Sequence, residues 1–320
     1  MSNRYKGEEM THHRLSSFLL SEGGLSVQYV RKIKQHVFHI ETVNEKEYIV
    51  KAHANKKNVM QQWDFFRQVS NPHIVPFIFF PNGKRTISLQ PFTWTLSPFI
   101  RGKKLRYAKA SDRQEALETV QKFHAQASGI FIEKRLKRRL LFERWYDRLL
   151  SFQKTAHLFA ENGYTALYKD IVITAEHFFK KNMRFPWKTM QQEAEQKGQW
   201  IHGDVASHNF IHTRKTTCLI DYDLLQASPH IFDFIQLGQR FLPFLNWDLS
   251  ALISYHMVDE EAIPKWLCAI AIPSDVMREW MYFLPEATDD KLKTYLEEME
   301  QDWEARKNFF RKTEKMVKSM

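Results

Sequence analysis

Residues 200–211 read WIHGDVASHNFI, and residues 218–223 read CLIDYD. In each segment a short apolar run lies beside Asp, His or Asn, whereas the flanking sequence carries the spacing of helices. The two segments therefore interrupt a helical pattern with short strands and clustered ionisable groups. We expect the functional site of the chain in residues 200–223.

Asp204, Asn209 and Asp221 carry the oxygen atoms that phosphoryl transfer to a hydroxyl group requires. One carboxylate must orient or deprotonate the hydroxyl, and oxygen ligands must hold Mg²⁺ against the phosphates. Mg²⁺ prefers hard oxygen donors and keeps several waters, so one Asp and one Asn carbonyl suffice. Short strands at residues 210–213 and 218–220 would form a hairpin that brings Asn209 and Asp221 to one point.

The pattern His-Gly-Asp-x-x-x-x-Asn followed by Ile-Asp-Tyr-Asp resembles the catalytic and metal-binding loops of the aminoglycoside/choline phosphotransferase superfamily. That superfamily is a branch of the protein-kinase-like fold. The resemblance implies that Asp204 is the catalytic base and that Asn209 and Asp221 are Mg²⁺ ligands. It also implies that His202 shapes the catalytic loop and that Asp233 braces it. A bare His-Gly-Asp would be a weak signal, but this spacing with a downstream Asp is specific.

Three further motifs resemble the superfamily in the required order. The run YIVK, which ends at Lys51, is similar to the strand whose lysine contacts the nucleotide phosphates. Phe99 and Ile100, in the segment FIRG, resemble the hinge that cradles adenine, and Phe123-His124 resembles the helix before the catalytic region. The likeness covers about residues 25–245 and implies ATP and Mg²⁺ as cofactors.

The order of these patterns predicts an α+β, bilobal protein-kinase-like fold. A small β-rich N-lobe, an antiparallel sheet plus one helix on the nucleotide side, is expected over residues 1–97. A larger, mainly helical C-lobe is expected over residues 98–320. The C-lobe holds the catalytic loop at residues 200–211 and the metal segment at residues 218–223.

Alternation and helical spacing predict the individual elements. Strands are expected at residues 36–42, 47–52, 74–80 and 86–92. Helices are expected at residues 56–69, 111–127, 133–150 and 288–317. The turn Pro81-Asn82-Gly83-Lys84 predicts a hairpin between the last two strands. The basic run KRLKRR, residues 134–139, favours the solvated face of an amphipathic helix over a nucleic-acid patch.

Two features depart from the superfamily pattern. Kinase-like sites cover the phosphates with a glycine-bearing loop, because only glycine lets backbone amides approach so closely. Residues 30–36, VRKIKQH, contain no glycine. The helix expected at residues 56–69 contains no Glu to hold Lys51, and Gln62 stands about where that Glu would align. A glutamine can hydrogen-bond the lysine but brings no charge.

Composition limits the partners and the compartment. Lys and Arg exceed Asp and Glu by 47 − 37 = +10, which favours anionic partners without choosing among them. The two cysteines, Cys218 and Cys268, suit buried thiols in a reducing compartment. Residues 1–11 are polar, and no apolar run approaches the length of a membrane span, so we expect cytosolic synthesis and no membrane partner. Nucleic-acid binding rests on charge alone, and we expect no such partner.

Within the superfamily, the chain most resembles the spore-coat-associated CotS group and its YutH-type members. The chain length, the aromatic-rich small lobe and the phrases LSPFIRGKKL (96–105) and HGDVASHNFI (202–211) carry this resemblance. It implies a place on the spore coat and other spore-coat proteins as partners. Two functions stay open: a phosphotransferase that uses ATP, Mg²⁺ and an unknown small hydroxyl-bearing molecule, and a catalytically inactive kinase-like structural or binding protein.

Overall fold

The structure, a computed structural model, describes residues 12–319. These residues divide into two compact units. The first comprises residues 12–103, Ile132–Leu136 and Ile211–Asp223. The second comprises Lys104–Phe131, Lys137–Phe210 and residues 224–319. The polar stretch of residues 1–11, where no signal peptide is expected, lies outside the described residues.

The strands and helices follow the chain in an α+β arrangement. The strands of the described residues are β1 Val27–Lys34, β2 Val37–Thr42, β3 Glu47–His53, β4 Ile87–Leu89, β5 Phe92–Pro98, β6 Lys103–Lys104, β7 Trp200–Ile201, β8 Phe210–His212, β9 Thr217–Leu219 and β10 Gln226–Ala227. Their α-helices are α1 His12–Gly23, α2 Lys56–Phe66, α3 Ala110–Gln126, α4 Leu141–Gln153, α5 Ala156–Glu161, α6 Thr165–Asn182, α7 Trp187–Gln196, α8 Ile231–Phe241, α9 Leu249–Ile253, α10 Ile263–Ile270, α11 Ser274–Phe283 and α12 Asp289–Ser319.

A five-stranded antiparallel sheet forms the body of the first unit, in the order β1-β2-β3-β5-β4. Phe38 on β2 pairs with Val50 on β3, and Val50 in turn pairs with Leu96 on β5. All three are buried, because alternate residues of each strand point to one face. The α1 side chains of Leu15 and Leu19 join the same core. The predicted β-rich small lobe is confirmed.

The segment between α2 and β5 differs from its prediction. Residues 74–80 do not form a strand: Ile74 makes an isolated parallel bridge to Leu219, and Ile78 makes an antiparallel bridge to Leu96. Pro76, which lacks an N–H, lies between the two bridges and cannot donate to a ladder. The predicted turn does form, with Phe80 N donating to the Lys84 carbonyl at 2.9 Å, but the hairpin of this region is β4–β5.

Short polar contacts explain where α2 begins. Asn55 is its N-cap, and the side-chain oxygen accepts a hydrogen bond of 3.1 Å from Asn58 N. The helix ends at Phe66, three residues before the predicted end, and Pro72 lies in the loop beyond it.

The prediction of a helix over residues 133–150 is wrong for its first half. The helix α4 begins only at Leu141, so the basic run KRLKRR lies before it and is not a helical face. Four-residue spacing of like charges within that run opposes a helix. In the first unit, Leu136 N also donates to Gln61 Oε1 at 2.6 Å, which replaces a helical hydrogen bond.

Helices make up most of the second unit, with short strand pairs between them. α10 packs against α6, α8 and α12, and α11 packs against α4. Trp266 and Trp280 are buried at these contacts. The strands β7 and β10 pair with each other. In the described residues, no helix combines the length and the apolarity that spanning a bilayer requires.

Candidate active site

Lys51 lies near the end of β3 and binds two carboxylates of the same unit. The ammonium Nζ is 2.6 Å from Asp221 Oδ1 and 2.6 Å from Asp223 Oδ2. Lys34, at the end of β1, approaches the other Asp221 oxygen at 3.0 Å. The side chain of Lys51 is 17% exposed and that of Asp221 is 22% exposed, so the pair is largely shielded from water.

In this cluster, neighbouring charges shift the pKa values more than burial does. Burial alone would lower the pKa of Lys51, but the adjacent Asp221 and Asp223 carboxylates outweigh it and raise that pKa. Burial alone would likewise raise the pKa of Asp221, but the Lys51 ammonium lowers it below its ordinary value. The lysine is therefore charged and the carboxylate ionised at neutral pH.

The backbone around Asp221 is unusual for a residue with a side chain. Asp221 has φ of +67°, in the left-handed region that Asp tolerates better than most residues. β9 precedes it and is fixed by two hydrogen bonds to the loop after α2, from Leu219 N to His73 O at 2.7 Å and from Val75 N to Leu219 O at 3.2 Å. Such local strain is characteristic of functional sites.

Asp223 was assigned no role from the sequence, but its carboxylate belongs to the Lys51 cluster. Besides Lys51, His53 Nδ1 lies 3.4 Å from its carboxylate, and Asn58 of α2 donates to its carbonyl at 2.9 Å. Burial alone would raise the pKa of Asp223, but the hydrogen bond from His53 and the Lys51 charge hold it well below its ordinary value. The Asp-x-Asp spacing with Asp221 was the signal for this role.

The glutamines of α2 are both buried, and neither has a hydrogen bond to Lys51 in the described residues. Gln61 accepts the Leu136 N–H, as described above. Gln62, which stands where the superfamily Glu would align, has a buried Nε2 without a hydrogen-bond partner among the described residues. The acidic partners of Lys51 come from the segment after β9 instead.

The predicted hinge residues follow β5. Phe99 N donates to the Glu47 carbonyl at 3.3 Å, and the Phe99 ring lies 4.1 Å from the His39 ring, centroid to centroid. Phe99 and Ile100 are both partly exposed. A Cβ on Gly102 would lie 2.5 Å from the His212 carbonyl oxygen, so this position accepts only glycine without a backbone shift.

The loop between β1 and β2 is a two-residue turn, Gln35-His36, in which His36 adopts φ of +62°. A non-glycine side chain here occupies the left-handed conformation that glycine adopts without strain. Residues 30–34 therefore belong to β1, and only Gln35 and His36 form the glycine-free turn between β1 and β2.

In the second unit, Asp233 of α8 stabilises the loop of residues 202–204 through hydrogen bonds to its backbone. The Asp233 carboxylate, which is fully buried, accepts hydrogen bonds from His202 N and Gly203 N, each 2.9 Å long. His124 Nε2 donates to the same carboxylate at 2.9 Å. Burial alone would raise the pKa of Asp233, but the contact with His124 and the hydrogen bond from Gly203 N lower it.

Glycine is required within this loop. Gly203 has φ of +81°, and a Cβ there would overlap the carbonyl oxygen of Leu224. His202 is buried beside it, and the ring nitrogen Nδ1 accepts a hydrogen bond of 3.3 Å from Asp204 N. Both residues thus shape the backbone that presents Asp204.

The Asp204 side chain is 32% exposed and has two partners in the second unit. One oxygen lies 2.8 Å from Arg240 of α8. The other accepts a hydrogen bond of 3.1 Å from Asn209 Nδ2, which also donates to the Asp204 carbonyl at 3.0 Å. Tyr107 donates to the Val205 carbonyl at 2.7 Å and holds the loop from the other side.

Arg240 and Tyr107 were not predicted from the sequence as site residues. Arg240 follows Asp233 by seven residues, which places both on one face of α8, and this spacing was the available signal. Burial lowers the pKa of the Arg240 guanidinium, against the opposing effect of the Asp204 charge. Burial also raises the pKa of Tyr107, which therefore remains a neutral hydrogen-bond donor.

A cavity of about 700 Å³ opens beside Asp204, and every side chain of its wall belongs to the second unit. We call it the Asp204 cavity. α4 contributes Arg144, Trp145 and Arg148 to the wall, and α11 contributes Asp275 and Arg278. A carboxylate on a braced loop therefore faces a space large enough for a small molecule.

The model of the phosphotransferase enzyme family, APH, matches residues 30–260. The chain belongs to this family. Comparison with curated protein sequences gives no significant match.

Solved structures share the APH fold at low sequence identity. An aminoglycoside phosphotransferase from Alicyclobacillus acidocaldarius subsp. acidocaldarius is 15% identical with a TM-score of 0.72, over 94% of this chain and 96% of that one. Spectinomycin phosphotransferase APH(9)-Ia, in complex with ADP and spectinomycin, is 13% identical with a TM-score of 0.61, over 92% and 100%. Choline kinase from Cryptosporidium parvum Iowa II is 12% identical with a TM-score of 0.53, over 92% and 90%. The bilobal kinase-like fold is thereby confirmed.

The APH site residues predicted from the sequence fall into both units. Lys51, Asp221 and the hinge lie in the first unit, and Asp204 and Asn209 lie in the second. Asp233 also lies in the second unit, where it accepts hydrogen bonds from His202 N and Gly203 N. The convergence of Lys51 and Asp221 with Asp204 and Asn209 stays a prediction.

The donor atoms of this APH chain fit a hard divalent cation. Asp221 offers two carboxylate oxygens, and Asn209 offers an amide oxygen because Nδ2 is engaged by Asp204. In residues 12–319, no cluster of three or more His, Cys, Asp and Glu side chains forms a metal site. A cation bound to Asp221 would need phosphate oxygens and water to complete its shell.

Proposed function

We propose that this APH-family chain is a nucleotide-dependent phosphotransferase that acts on the hydroxyl group of a small molecule. One observation carries the proposal: Asp204 lies in the wall of the Asp204 cavity, on a loop that Asp233 braces. The Asp204 carboxylate is positioned by Arg240 and Asn209 and remains partly accessible. This is the arrangement that a residue orienting an incoming hydroxyl requires.

In this proposal, each candidate site residue has a distinct part in the reaction. Asp204 orients the acceptor hydroxyl and takes its proton, while the hydroxyl oxygen bonds to the γ-phosphorus and the bond to the ADP oxygen breaks. Lys51 donates to the nucleotide phosphates, and Phe99 and Ile100 contact the base. Arg240 keeps the Asp204 carboxylate oriented.

Asn209 and Asp221 would hold a divalent cation, which we propose to be Mg²⁺. When bound, such a cation neutralises charge on the phosphates. The complexes of relatives support a nucleotide and a divalent metal: spectinomycin phosphotransferase binds ADP, and an amicoumacin kinase is in complex with AMP-PNP and Ca²⁺.

The test is turnover of ATP with amino alcohols, sugars and aminoglycosides as acceptors, measured as ADP release and as phosphorylated product. We expect Asp204→Asn to lower transfer by at least about 100-fold, as for the loss of a general base. Asp259→Asn, a change at an exposed carboxylate of the second unit, is the matched control. Equal rates for wild type and Asp204→Asn with every acceptor would refute the proposal.

A second function, a catalytically inactive kinase-like protein, is favoured by the ion pairs of Lys51. Asp221 and Asp223 both bind its ammonium, and Gln62 replaces the usual acidic partner. A lysine whose ammonium already binds two carboxylates is less available to donate hydrogen bonds to a phosphate. Failure of ATP to raise the melting temperature, with or without Mg²⁺, would favour this function over the enzyme.

We further propose cytosolic synthesis and a place on the spore coat, in contact with other coat proteins. The resemblance to the CotS group and its YutH-type members supports this proposal, through the segments at residues 96–105 and 202–211. Immunoblots of coat extracts from purified spores would detect the chain. Its confinement to the soluble fraction of the mother cell would overturn the coat assignment without affecting the enzyme.

A further inference from the structure

The charged groups of the Asp204 cavity are not balanced. Four arginines and three carboxylates line it: Arg144, Arg148, Arg240 and Arg278, and Asp204, Asp275 and Glu279. Each carboxylate already has an arginine partner. The pairs are Arg240–Asp204 at 2.8 Å, Arg278–Glu279 at 3.4 Å and Arg306–Asp275 at 2.9 Å.

Arg144 and Arg148 have no such partner. Neither forms an ion pair or a side-chain hydrogen bond with any residue of the described part of the chain, and the Arg144 Nε is buried without a partner. Both lie on α4, four residues apart, so their side chains leave the helix on one face. Both are only partly exposed.

Burial and neighbouring positive charges destabilise the charged forms of Arg144 and Arg148. Burial lowers the pKa of Arg144, and the nearby charges of Arg138 and Arg139 lower it further. Burial also lowers the pKa of Arg148, and Arg278 and Arg144 add to the effect. Arginine stays protonated in proteins, so the repulsion persists until an anion enters.

An anionic ligand would remove both costs at once. A carboxylate or a phosphate accepts two parallel N–H bonds from one guanidinium, and such charge-assisted bonds are among the strongest in proteins. A cationic acceptor would meet two unpaired positive charges in the same cavity, which like-charge repulsion disfavours. The wall therefore selects by the sign of the ligand's charge.

We propose that the acceptor of this phosphotransferase carries an anionic group, a phosphate ester or a carboxylate, that binds Arg144 and Arg148 while its hydroxyl group reaches Asp204. The inference rests on the proposed function for the transfer step, in which a nucleoside triphosphate supplies the phosphoryl group and Asp204 takes the hydroxyl proton. The anion site itself rests only on the cavity.

The experiment compares acceptors that share a scaffold and differ in charge. Isothermal titration calorimetry of the full chain is performed with glucose, glucosamine, gluconate and glucose 6-phosphate, and with glycerol, glycerate and glycerol 3-phosphate. We expect at least one anion to bind 10-fold or more tightly than the neutral and cationic compounds of its scaffold. The relative affinity of the carboxylate and the phosphate identifies which anion the site prefers.

Variants test whether α4 holds the anion. Arg144→Gln and Arg148→Gln should each weaken anion binding by 10-fold or more, whereas Lys154→Gln, which removes an exposed charge at the end of α4, should change it less than 2-fold. Melting temperatures of all three show whether folding is retained.

The outcomes separate the anion site from the enzyme. Anions that bind no more tightly than neutral or cationic compounds, or that bind equally to the arginine variants, would overturn the inference. Loss of ATP binding in Arg144→Gln and Arg148→Gln would also overturn it, because the arginines would then serve the nucleotide. Arginine-dependent anion binding without any phosphate transfer would uphold the anion site and defeat the proposed function.

Discussion

Replacement of Asp233 should cost the second unit more stability than any exposed substitution. The buried carboxylate accepts three hydrogen bonds of 2.9 Å, from His202 N, Gly203 N and His124 Nε2. In Asp233→Ala all three donors lose their acceptor. A buried donor without a partner costs about 1–3 kcal/mol, so the free energy of unfolding should fall by at least about 3 kcal/mol.

Thermal denaturation provides the measurement. For a unit of this size, about 1 kcal/mol corresponds to about 2–4 °C, so Asp233→Ala should lower the melting temperature by at least about 6 °C. Asp233→Asn retains one acceptor oxygen but presents an NH₂ group to a donor, and an intermediate loss is expected. Asp259→Ala, at an exposed carboxylate without a capping hydrogen bond, is the control and should stay within about 0.5 kcal/mol of wild type.

The result that would refute this reasoning is a loss below about 1 kcal/mol for Asp233→Ala, because three buried donors cannot lose their acceptor so cheaply. A large loss shared by Asp259→Ala would refute it equally, since the effect would then not depend on burial.

Three further perturbations test separate parts of the structure. Gly203→Ala should lower the free energy of unfolding by about 2–4 kcal/mol, because the new Cβ overlaps the Leu224 carbonyl oxygen at a residue that already has a positive φ. Gly83 also has a positive φ, +82°, but open space around it, so Gly83→Ala should lower the stability in thermal melts by only about 1 kcal/mol. Lys51→Met leaves two carboxylates without their ammonium partner and should lower the free energy of unfolding in urea by about 1–3 kcal/mol. Lys34→Met, at an exposed lysine, should lower it by less than about 1 kcal/mol. Burial alone would raise the pKa of Glu314, but Lys181, His177 and Lys318 lower it to about 2. The stability from Glu314 is therefore present above its ordinary pKa of 4.5 and lost as pH falls toward 2, so melts of Glu314→Gln and wild type should differ at pH 7 and converge near pH 2.

The loop of residues 202–209 could be located from the sequence because its requirements are local. Gly203 must adopt a positive φ, and Asn209 reaches the Asp204 carboxylate across five residues of chain. The strands β2 and β3 were likewise visible in alternation over adjacent segments. Where a few neighbouring residues determine the geometry, sequence pattern alone locates the element.

Elements that depend on distant partners were missed. Residues 133–140 have helical spacing, but Leu136 bonds to Gln61 and the like charges around it oppose a helix. Residues 74–80 have strand composition, yet Ile74 bridges to Leu219, 145 positions later, and forms no continuous ladder. Propensity gives no information about such contacts, because tertiary packing overrides it.

The hydrogen-bond partners of Lys51 and Asp204 could not be predicted from the sequence either. The absence of a Glu in α2 was evident, but the replacement of that Glu by Asp223 was not, because it depends on the path of the chain after β9. Arg240 shared a helical face with Asp233, but only the folded loop shows that it binds Asp204.

The ion pairs of the first unit predict that nucleotide and divalent cation support each other's binding. Lys51 can donate to phosphate only as its bonds to Asp221 and Asp223 weaken, and both bonds are 2.6 Å long. A divalent charge near Asp221 would weaken the attraction of that carboxylate for the lysine. The melting-temperature increase with ATP and Mg²⁺ together should therefore exceed the sum of the increases with each alone. In Asp221→Asn this excess should disappear, whereas in Lys34→Met it should persist. An excess that survives Asp221→Asn would place the coupling elsewhere and remove the basis for a cation site at Asp221.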